Sequence, residues 1–489
     1  MYRPPLDEAT QLSPSYGMIP VSRTMYADIR TPIEVLRSLK AHDRHCFMLE
    51  SMEDKNRWGR YTFLGFAPQM EITCANGDVR ITDGKTVAFP AGTPADAIRR
   101  VVEENRSPRF SYLPPFTGGL VGYFAYDYIQ YAEPSLTLIA KDAEGFQDAD
   151  LMLFDRLIVF DNLTQQITLI ANMKTDAPEQ NYHIATEAIE EMAALIKAGT
   201  QAHPAPLQLK TPFTPLFQKD AFCAMVQRAK HYIHEGDIFQ VVLSNRLEAE
   251  AEGSLFDAYR VLRSINPSPY MFYFSSDDIE IAGASPETLV KLQDGTLFTF
   301  PLAGTRPRGQ TPEEDARLGR ELLQDEKELA EHNMLVDLGR NDIGRISEFG
   351  TVKVEKYLSV ERFSHVMHIG STVRGTIRQD QDALDAIGAV LPAGTLSGAP
   401  KLRACEIIDE LEDNKRGIYG GAVGYIDFTG NMDTCIAIRM AYKKNSKVFV
   451  RSGAGIVADS VPESEYQECI NKAHAVVRAV EQSVGGIDE

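Results

Sequence analysis

QMEITCANGDVRITDG, residues 69–84, is two short strand runs meeting at an Asn-Gly turn, the dipeptide that supplies the left-handed backbone a tight hairpin needs. Hairpins join antiparallel neighbours, and similar strand runs flank this one: GRYTFLGF (59–66), RLIVFDN (156–162) and QQITLIANM (165–173). Two amphipathic helices, PIEVLRSLKAH (32–42) and PADAIRRVVEEN (94–105), interrupt them. Later strands read as IFQVVLSNRLEAE (238–250), YMFYFSS (270–276), TLVKLQ (288–293), TVKVEKY (351–357), YGGAVGYIDF (419–428), DTCIAIRMAYKK (433–444) and KVFVRSGAGIVA (447–458). Longer helices alternate with them, including PEEDARLGRELLQDEKELAEHNMLVDLGR (312–340) and PESEYQECINKAHAVVRAVEQ (462–482). This pattern predicts an α+β fold in which large antiparallel sheets are flanked by helices.

At 489 residues the chain exceeds the size at which one core keeps growing, so two domains are expected. The boundary falls in KAGTQAHPAPLQLKTPFTPL (197–216), which has little apolar periodicity and follows a helix that stops at Gly199. It divides an N-terminal region, 1–210, from a larger one, 211–489. A net charge of −19 argues against nucleic acid or an anionic membrane as partner, but leaves room for a basic pocket that takes a small anion. Six scattered cysteines form no C-x-x-C pair, and no stretch approaches 18 apolar residues. Reduced thiols and a cytoplasmic location are the expectation.

Two glutamate pairs stand out. Glu328 and Glu331 lie in DEKELAEHNMLVDLGRND (325–342), and Glu465 and Glu468 lie in SVPESEYQECINKAHAVV (460–477). Residues three apart share a helix face, so each segment can present two carboxylates together. Ordinary solvated helices show the same spacing, but two such faces closing together would suit Mg²⁺, which takes one or two carboxylates and draws other oxygens from its substrate. Ser460 and Glu463 read as an S-x-x-E capping box, with Pro462 in the first turn. GTLSGAPK (394–401) runs into a helix and is either a tight turn or an anion-binding loop. SGAGIV (452–457) is either a bulge or a carboxylate-binding loop. His368 is either a hydrogen-bonded structural group or a proton-transfer group. Arg439, ending the apolar run DTCIAIR, calls for a buried ion pair or a carboxylate ligand.

PLAGTRPRG (301–309), KELAEHNMLVDLGRND (327–342), VMHIGS (366–371), GTLSGAPK (394–401), RGIYGGAVGY (416–425) and the GAGI…PESEYQECINKA run (453–473) together resemble the chorismate-utilising enzymes. MLES (48–51) resembles an N-terminal element of the anthranilate synthase large subunits, so the likeness spans nearly the whole chain. Ala303 stands where aminodeoxychorismate synthases carry a nucleophilic lysine. Gln240 stands where isochorismate and salicylate synthases carry a water-activating lysine. Both point to ammonia as attacking species and to anthranilate, made from chorismate in tryptophan biosynthesis, as product. The alternatives are an enzyme that stops at aminodeoxyisochorismate, an aminodeoxychorismate synthase, and a non-catalytic homologue.

The resemblance implies a Mg²⁺ site at Glu331 and Glu468, supported by Glu328 and Glu465. It places substrate carboxylates against Tyr419, Arg439, Lys472 and the loop Gly453, Ala454 and Gly455. Thr395 would line the ring-carboxylate side, Glu287 would protonate the departing C4 hydroxyl, and His368 would act in the later elimination. Tryptophan as feedback inhibitor would occupy Glu50, Ser51, Asn266, Pro267, Tyr270, Met271 and Cys435. A glutamine amidotransferase subunit would supply the ammonia, since no G-x-C-x-G nucleophile segment is recognisable here.

Overall fold

A computed structural model describes residues 1–52, 59–200, 202–362 and 366–487; Gln201, within the expected boundary stretch, lies outside them. The 69–84 reading holds: Met70–Ala75 and Asp78–Thr82 pair antiparallel across Asn76 and Gly77, both with positive φ. Every strand pairing among the described residues that forms a ladder is antiparallel. Two large sheets result. One runs, in spatial order, through Met18–Tyr26, Gln166–Lys174, Arg156–Asp161, Tyr61–Phe66, Cys46–Glu50, Tyr270–Ser275, Glu280–Ser285, Met440–Lys444, Lys447–Ile456 and Gln240–Glu252. The other runs from Leu302–Pro307 and Val366–Thr376 through Thr288–Gln293, Met432–Ile436, Ala422–Asp427, Gly119–Phe124 and Ala149–Phe154 to the hairpin at 70–82.

Strand alternation sorts side chains between two apolar layers. Phe272 and Phe274 enter the core between the sheets with Phe47, Leu120, Leu151, Val290 and Val423. Met271 and Tyr273, on the opposite face, pack with Leu36, Ile189, Met192, Leu262, Ala473 and Val476 from the helices Pro32–His42, Pro178–Ala198, Phe256–Ile265 and Pro462–Gln482. A third cluster seats the helices Lys219–His234 and Lys401–Glu412 on Val241, Leu243, Ala454 and Ile456.

Both sheets cross the expected 210/211 division. Cys46–Glu50 pairs with Tyr270–Ser275 in one, and Gly119–Phe124 pairs with Ala422–Asp427 in the other. The N-terminal and C-terminal regions therefore share one sandwich core rather than each closing its own. Among the described residues no helix is long and apolar enough to cross a membrane.

Three local readings change. The stretch 312–340 is two helices, Pro312–Leu322 and Glu326–Gly344, because Asp325 turns its carboxylate onto the Lys327 and Glu328 N–H groups and starts a new one. The run 433–444 is two strands in different sheets: the chain leaves Met432–Ile436 in one layer and re-enters as Met440–Lys444 in the other, and stacked sheets cannot share a straight strand. The Ser460–Glu463 box does not form. The last helix is capped at Val461, and Ser460 Oγ instead accepts from the Val457 N–H at 3.1 Å.

Candidate active site

A cavity of about 1080 Å³, lined by residues of both sheets, lies between the Glu326–Gly344 and Pro462–Gln482 helices. It is lined by Gln240, Glu287, Ala303, Glu331, His368, Thr395, Tyr419, Arg439, Gly453, Gly455, Glu465, Glu468 and Lys472. Residues from ten sequence segments thus meet in one place.

Arg439 is carried by the layer crossing at 437–439. Its φ of +51°, unusual for a non-glycine residue, turns the side chain out of both sheets and into the cavity. Among the described residues its guanidinium makes no hydrogen bond or ion pair. Surrounding protein desolvates it and lowers its pKa, with Glu287 opposing. A guanidinium in that state is a receptor for a carboxylate.

Glu287 faces it. Burial pushes its carboxyl up to about 7, against the opposing pull of the Thr395 hydroxyl, Arg439 and Lys472. Thr395 Oγ1 donates to Glu287 Oε1 at 3.2 Å. A carboxyl that titrates near neutrality can hold a proton and give it up, as a general acid must. His368 is held by its Nδ1, which lies 2.7 Å from the Gly304 carbonyl. Donation there places the ring proton on Nδ1 and the lone pair on Nε2. Burial lowers the imidazole pKa, so it is neutral at pH 7. The carbonyl is aimed by a bulge in Leu302–Pro307 around Gly304, at φ +64°. Ala303 contributes only a methyl group to the wall.

Gly453 and Gly455 face the cavity, whereas the Ala454 side chain points the other way, fully buried against Val241 and Leu243. Only the backbone of residue 454 is available to a ligand. A Cβ on Gly453 would sit 2.9 Å from the Tyr419 hydroxyl and 2.8 Å from the Leu243 carbonyl oxygen. Lys472 bridges the strand and the last helix, donating to the Gly453 carbonyl at 3.1 Å and pairing with Glu468 at 2.6 Å.

The glutamates divide. Glu331, Glu465 and Glu468 line the cavity from two helices, and burial together with the nearby Glu328 and Glu468 raises the Glu331 pKa. Burial, then the neighbouring Glu468, raises that of Glu465. Glu328 lies behind Gly304 at the rim, 3.6 Å from Arg306. Among the described residues no three Asp, Glu, His or Cys side chains are gathered into a ready-made cage. Hard oxygen donors that repel one another across a cavity suit a divalent cation that completes its shell with water and ligand oxygens, so the residues fit Mg²⁺.

The residues expected to hold tryptophan lie elsewhere and on two faces. Glu50 and Met271 are directly opposed on neighbouring strands of the first sheet. The Glu50 carboxylate is already taken by the Tyr259 hydroxyl at 2.7 Å and by Arg263 at 2.6 and 2.9 Å. Tyr270 and Cys435 sit on the inner side, where the Tyr270 hydroxyl donates to Asp433 at 2.8 Å. Ser51, Asn266 and Pro267 lie at the loop that joins these faces, where the Met52 N–H donates to the Ser268 carbonyl at 3.1 Å. Asn266 and Arg439 share a smaller cavity of about 650 Å³ with Glu468, Asn471 and Lys472.

Sequence reasoning missed Glu412, Arg416 and Arg451, all 2% exposed. Arg451 lines the cavity floor, and its signal was a charge inside the apolar run KVFVRSGAG.

A family profile described as chorismate binding enzyme matches residues 44–478. The chain is 45% identical to anthranilate synthase component 1 of Acetivibrio thermocellus, over 99% of each. It is 43% identical to the protein of the same name from Aquifex aeolicus (strain VF5), over 97% of each. Among solved structures, anthranilate synthase component I from Streptococcus pneumoniae TIGR4 superposes with a TM-score of 0.78 at 37% identity, covering 93% of this chain and 99% of that one.

Proposed function

The chain belongs to the chorismate binding enzyme family, on the anthranilate synthase component 1 branch, and from that premise we propose how its cavity converts chorismate and ammonia to anthranilate and pyruvate. The observation that carries the reading is Arg439, an unpaired guanidinium, facing Glu287, a carboxyl poised near pH 7, in a cavity where residue 303 is an alanine.

Arg439, with Tyr419 and the Gly453–Gly455 backbone, receives the enolpyruvyl carboxylate. Glu331 and Glu468, with Glu465 beside them and Glu328 behind, would hold Mg²⁺. When bound, the metal supplies a positive centre for the ring carboxylate. Held at its enolpyruvyl carboxylate by Arg439, the substrate is kept in reach of Glu287, mainly a positioning and electrostatic contribution. Ammonia attacks C2 as the ring double bonds shift and the C4–O bond breaks. Glu287 gives its proton to the departing hydroxyl, which leaves as water. No side chain competes as nucleophile, because Ala303 carries none and the Gln240 amide cannot activate water. In the second step C2 loses its proton and the C3–O bond breaks, releasing enolpyruvate, which becomes pyruvate on protonation; the ring is then aromatic. In this reading the neutral His368 imidazole takes the C2 proton. Ammonia comes from a glutamine amidotransferase subunit, and tryptophan inhibits by binding at the loop of Ser51, Asn266 and Pro267, where the two faces meet.

The test is incubation of the purified chain with chorismate, Mg²⁺ and ammonium at alkaline pH, where free ammonia replaces the partner. Anthranilate fluorescence and stoichiometric pyruvate are expected. Accumulation of a non-fluorescent amino-dihydroaromatic acid without pyruvate would instead mean that the reaction stops after the first step. Glu331→Gln and Glu468→Gln should each raise the Mg²⁺ concentration needed for half-saturation, read by calorimetry as well as by rate. Unchanged Mg²⁺ binding would remove the metal assignment. Full activity at millimolar tryptophan would remove the feedback reading.

A further inference from the structure

An ion cluster lies beneath the cavity floor, to which its member Arg451 contributes. The Glu412 carboxylate accepts from the Ser244 N–H at 2.7 Å and its hydroxyl at 2.9 Å, from Arg416 at 2.5 and 3.0 Å, and from Arg451 at 2.7 Å. Buried ions are costly unless paired and fully hydrogen-bonded, and this carboxylate meets both conditions. Arg416 has donors left over. Nη1 donates to the Leu396 carbonyl at 2.6 Å, and Nη2 to the Val242 carbonyl at 2.7 Å. Its guanidinium also lies over the rings of Tyr126, at 4.6 Å, and Tyr419, at 5.8 Å.

Leu396 directly follows Thr395 in the short turn Gly394–Leu396. The far side of that turn is tied to the same strand, the Val242 N–H donating to the Ser397 carbonyl at 2.9 Å. We propose that Arg416, clamped by Glu412, is a positioning residue of the reaction: it fixes the Leu396 carbonyl and so holds the Thr395 hydroxyl against Glu287. Only a planar fork of donors can reach Glu412, Leu396 and Val242 at once; an ammonium offers the charge without the fork. The charged groups that face Glu287 directly are Arg439 and Lys472, with Glu331, Glu468 and His368 lining the same cavity. Thr395 donates to Glu287 from a turn that Arg416 holds from below.

The inference rests on the chorismate reading, and the experiment separates the two. Arg416→Lys, Thr395→Val and the double variant are compared with ammonium as nitrogen source, while chorismate binding is followed by calorimetry without ammonium. A misplacement of about 1 Å at a reacting group costs up to about 100-fold, so Arg416→Lys should lower kcat by about 10- to 100-fold. Its dissociation constant for chorismate should stay within about threefold of the parent chain's, because Arg416 makes no hydrogen bond to Arg439 or to the Gly453–Gly455 backbone among the described residues and meets Tyr419 only over its ring, at 5.8 Å. Residues acting through one another are non-additive, so Arg416→Lys on top of Thr395→Val should cost less than about twofold more. Losses that multiply in the double variant, or a parallel loss of chorismate binding, would overturn the proposal. If Arg416→Lys does not fold, Ser244→Ala decides the matter. It removes one contact each to Glu412 and Arg451, and it should lower kcat non-additively with Thr395→Val. Undiminished kcat, or an additive loss, would count against the proposal. A parent chain that forms no anthranilate would instead sink the chorismate reading itself.

Discussion

At the scale of single residues, the site works by placing groups where their ordinary chemistry is shifted. Glu287 is the clearest instance. Burial raises its pKa from 4.5 to about 7, so the acid form that the proposed C4–O cleavage calls for is present at neutral pH and is lost as pH rises through about 7. At constant free-ammonia concentration, kcat/KM should therefore fall above pH 7, and Glu287→Gln should abolish turnover. The same shift has a stability cost with a definite sign. A carboxyl whose folded pKa lies above its unfolded value destabilises the fold increasingly as pH rises from the unfolded value to the folded one, carries its full cost above that, and costs nothing below the unfolded value. Glu287→Gln should accordingly melt higher than the parent chain at pH 8, with the gap closing near pH 4.5. Arg439 makes the complementary prediction. Losing one side of a desolvated, hydrogen-bonded charge pair costs about 3 kcal/mol, so Arg439→Met should lower kcat/KM about 100-fold, mostly through KM.

At the scale of elements, the strand Lys447–Ile456 shows how one segment serves two layers. Val448 and Val450 pack under the helices, Ala454 and Ile456 join the helical cluster, and Gly453 and Gly455 leave space on the cavity side. The two glycines are not equivalent. A Cβ at 453 would meet a backbone oxygen and the buried Tyr419 hydroxyl, whereas at 455 it would meet the flexible end of Gln240 at 2.7 Å. Gly453→Ala should destroy chorismate binding while Gly455→Ala costs much less, and Gln240→Ala should restore part of what Gly455→Ala loses. Steady-state KM values for the three variants check this ordering. The last helix divides in the same way: Cys469, 1% exposed, packs into the helical cluster, while Glu465 and Glu468 turn to the cavity.

At the scale of the whole molecule, catalytic and N-terminal segments are strands of the same sheets. Cys46–Glu50 lies between Tyr61–Phe66 and Tyr270–Ser275, and Gly119–Phe124 lies between Ala149–Phe154 and Ala422–Asp427. Removing either half would expose long unpaired edges and the inner apolar face. Residues 211–489 expressed alone should aggregate or bind no chorismate, whereas co-expression with 1–210 should recover a soluble complex that does. A stable, chorismate-binding 211–489 fragment would show that the catalytic region closes its own core. The second sheet places Ala303 and His368 on one cavity wall while the first supplies Gln240, Gly453 and Gly455 on another, so the active site exists only where both sheets are complete.

Local chemistry made much of this legible in advance. The Asn-Gly hairpin, the alternating strands and the capped amphipathic helices follow from backbone preferences and from periodicities of two and 3.6, which neighbouring residues set among themselves. Other features depend on partners hundreds of residues away and had no local signature. The run 433–444 reads as one strand because its composition is uniform; only the stacking of two sheets forces it to cross layers and turns Arg439 into the cavity. Glu328 and Glu331 share a helix face by spacing, yet Arg306 holds the first at the rim while the second opens to the cavity. The role of Arg416 is visible only when Glu412, Leu396 and Val242 converge on it, since a hydrogen-bond network is a property of distances that a linear order of residues does not contain.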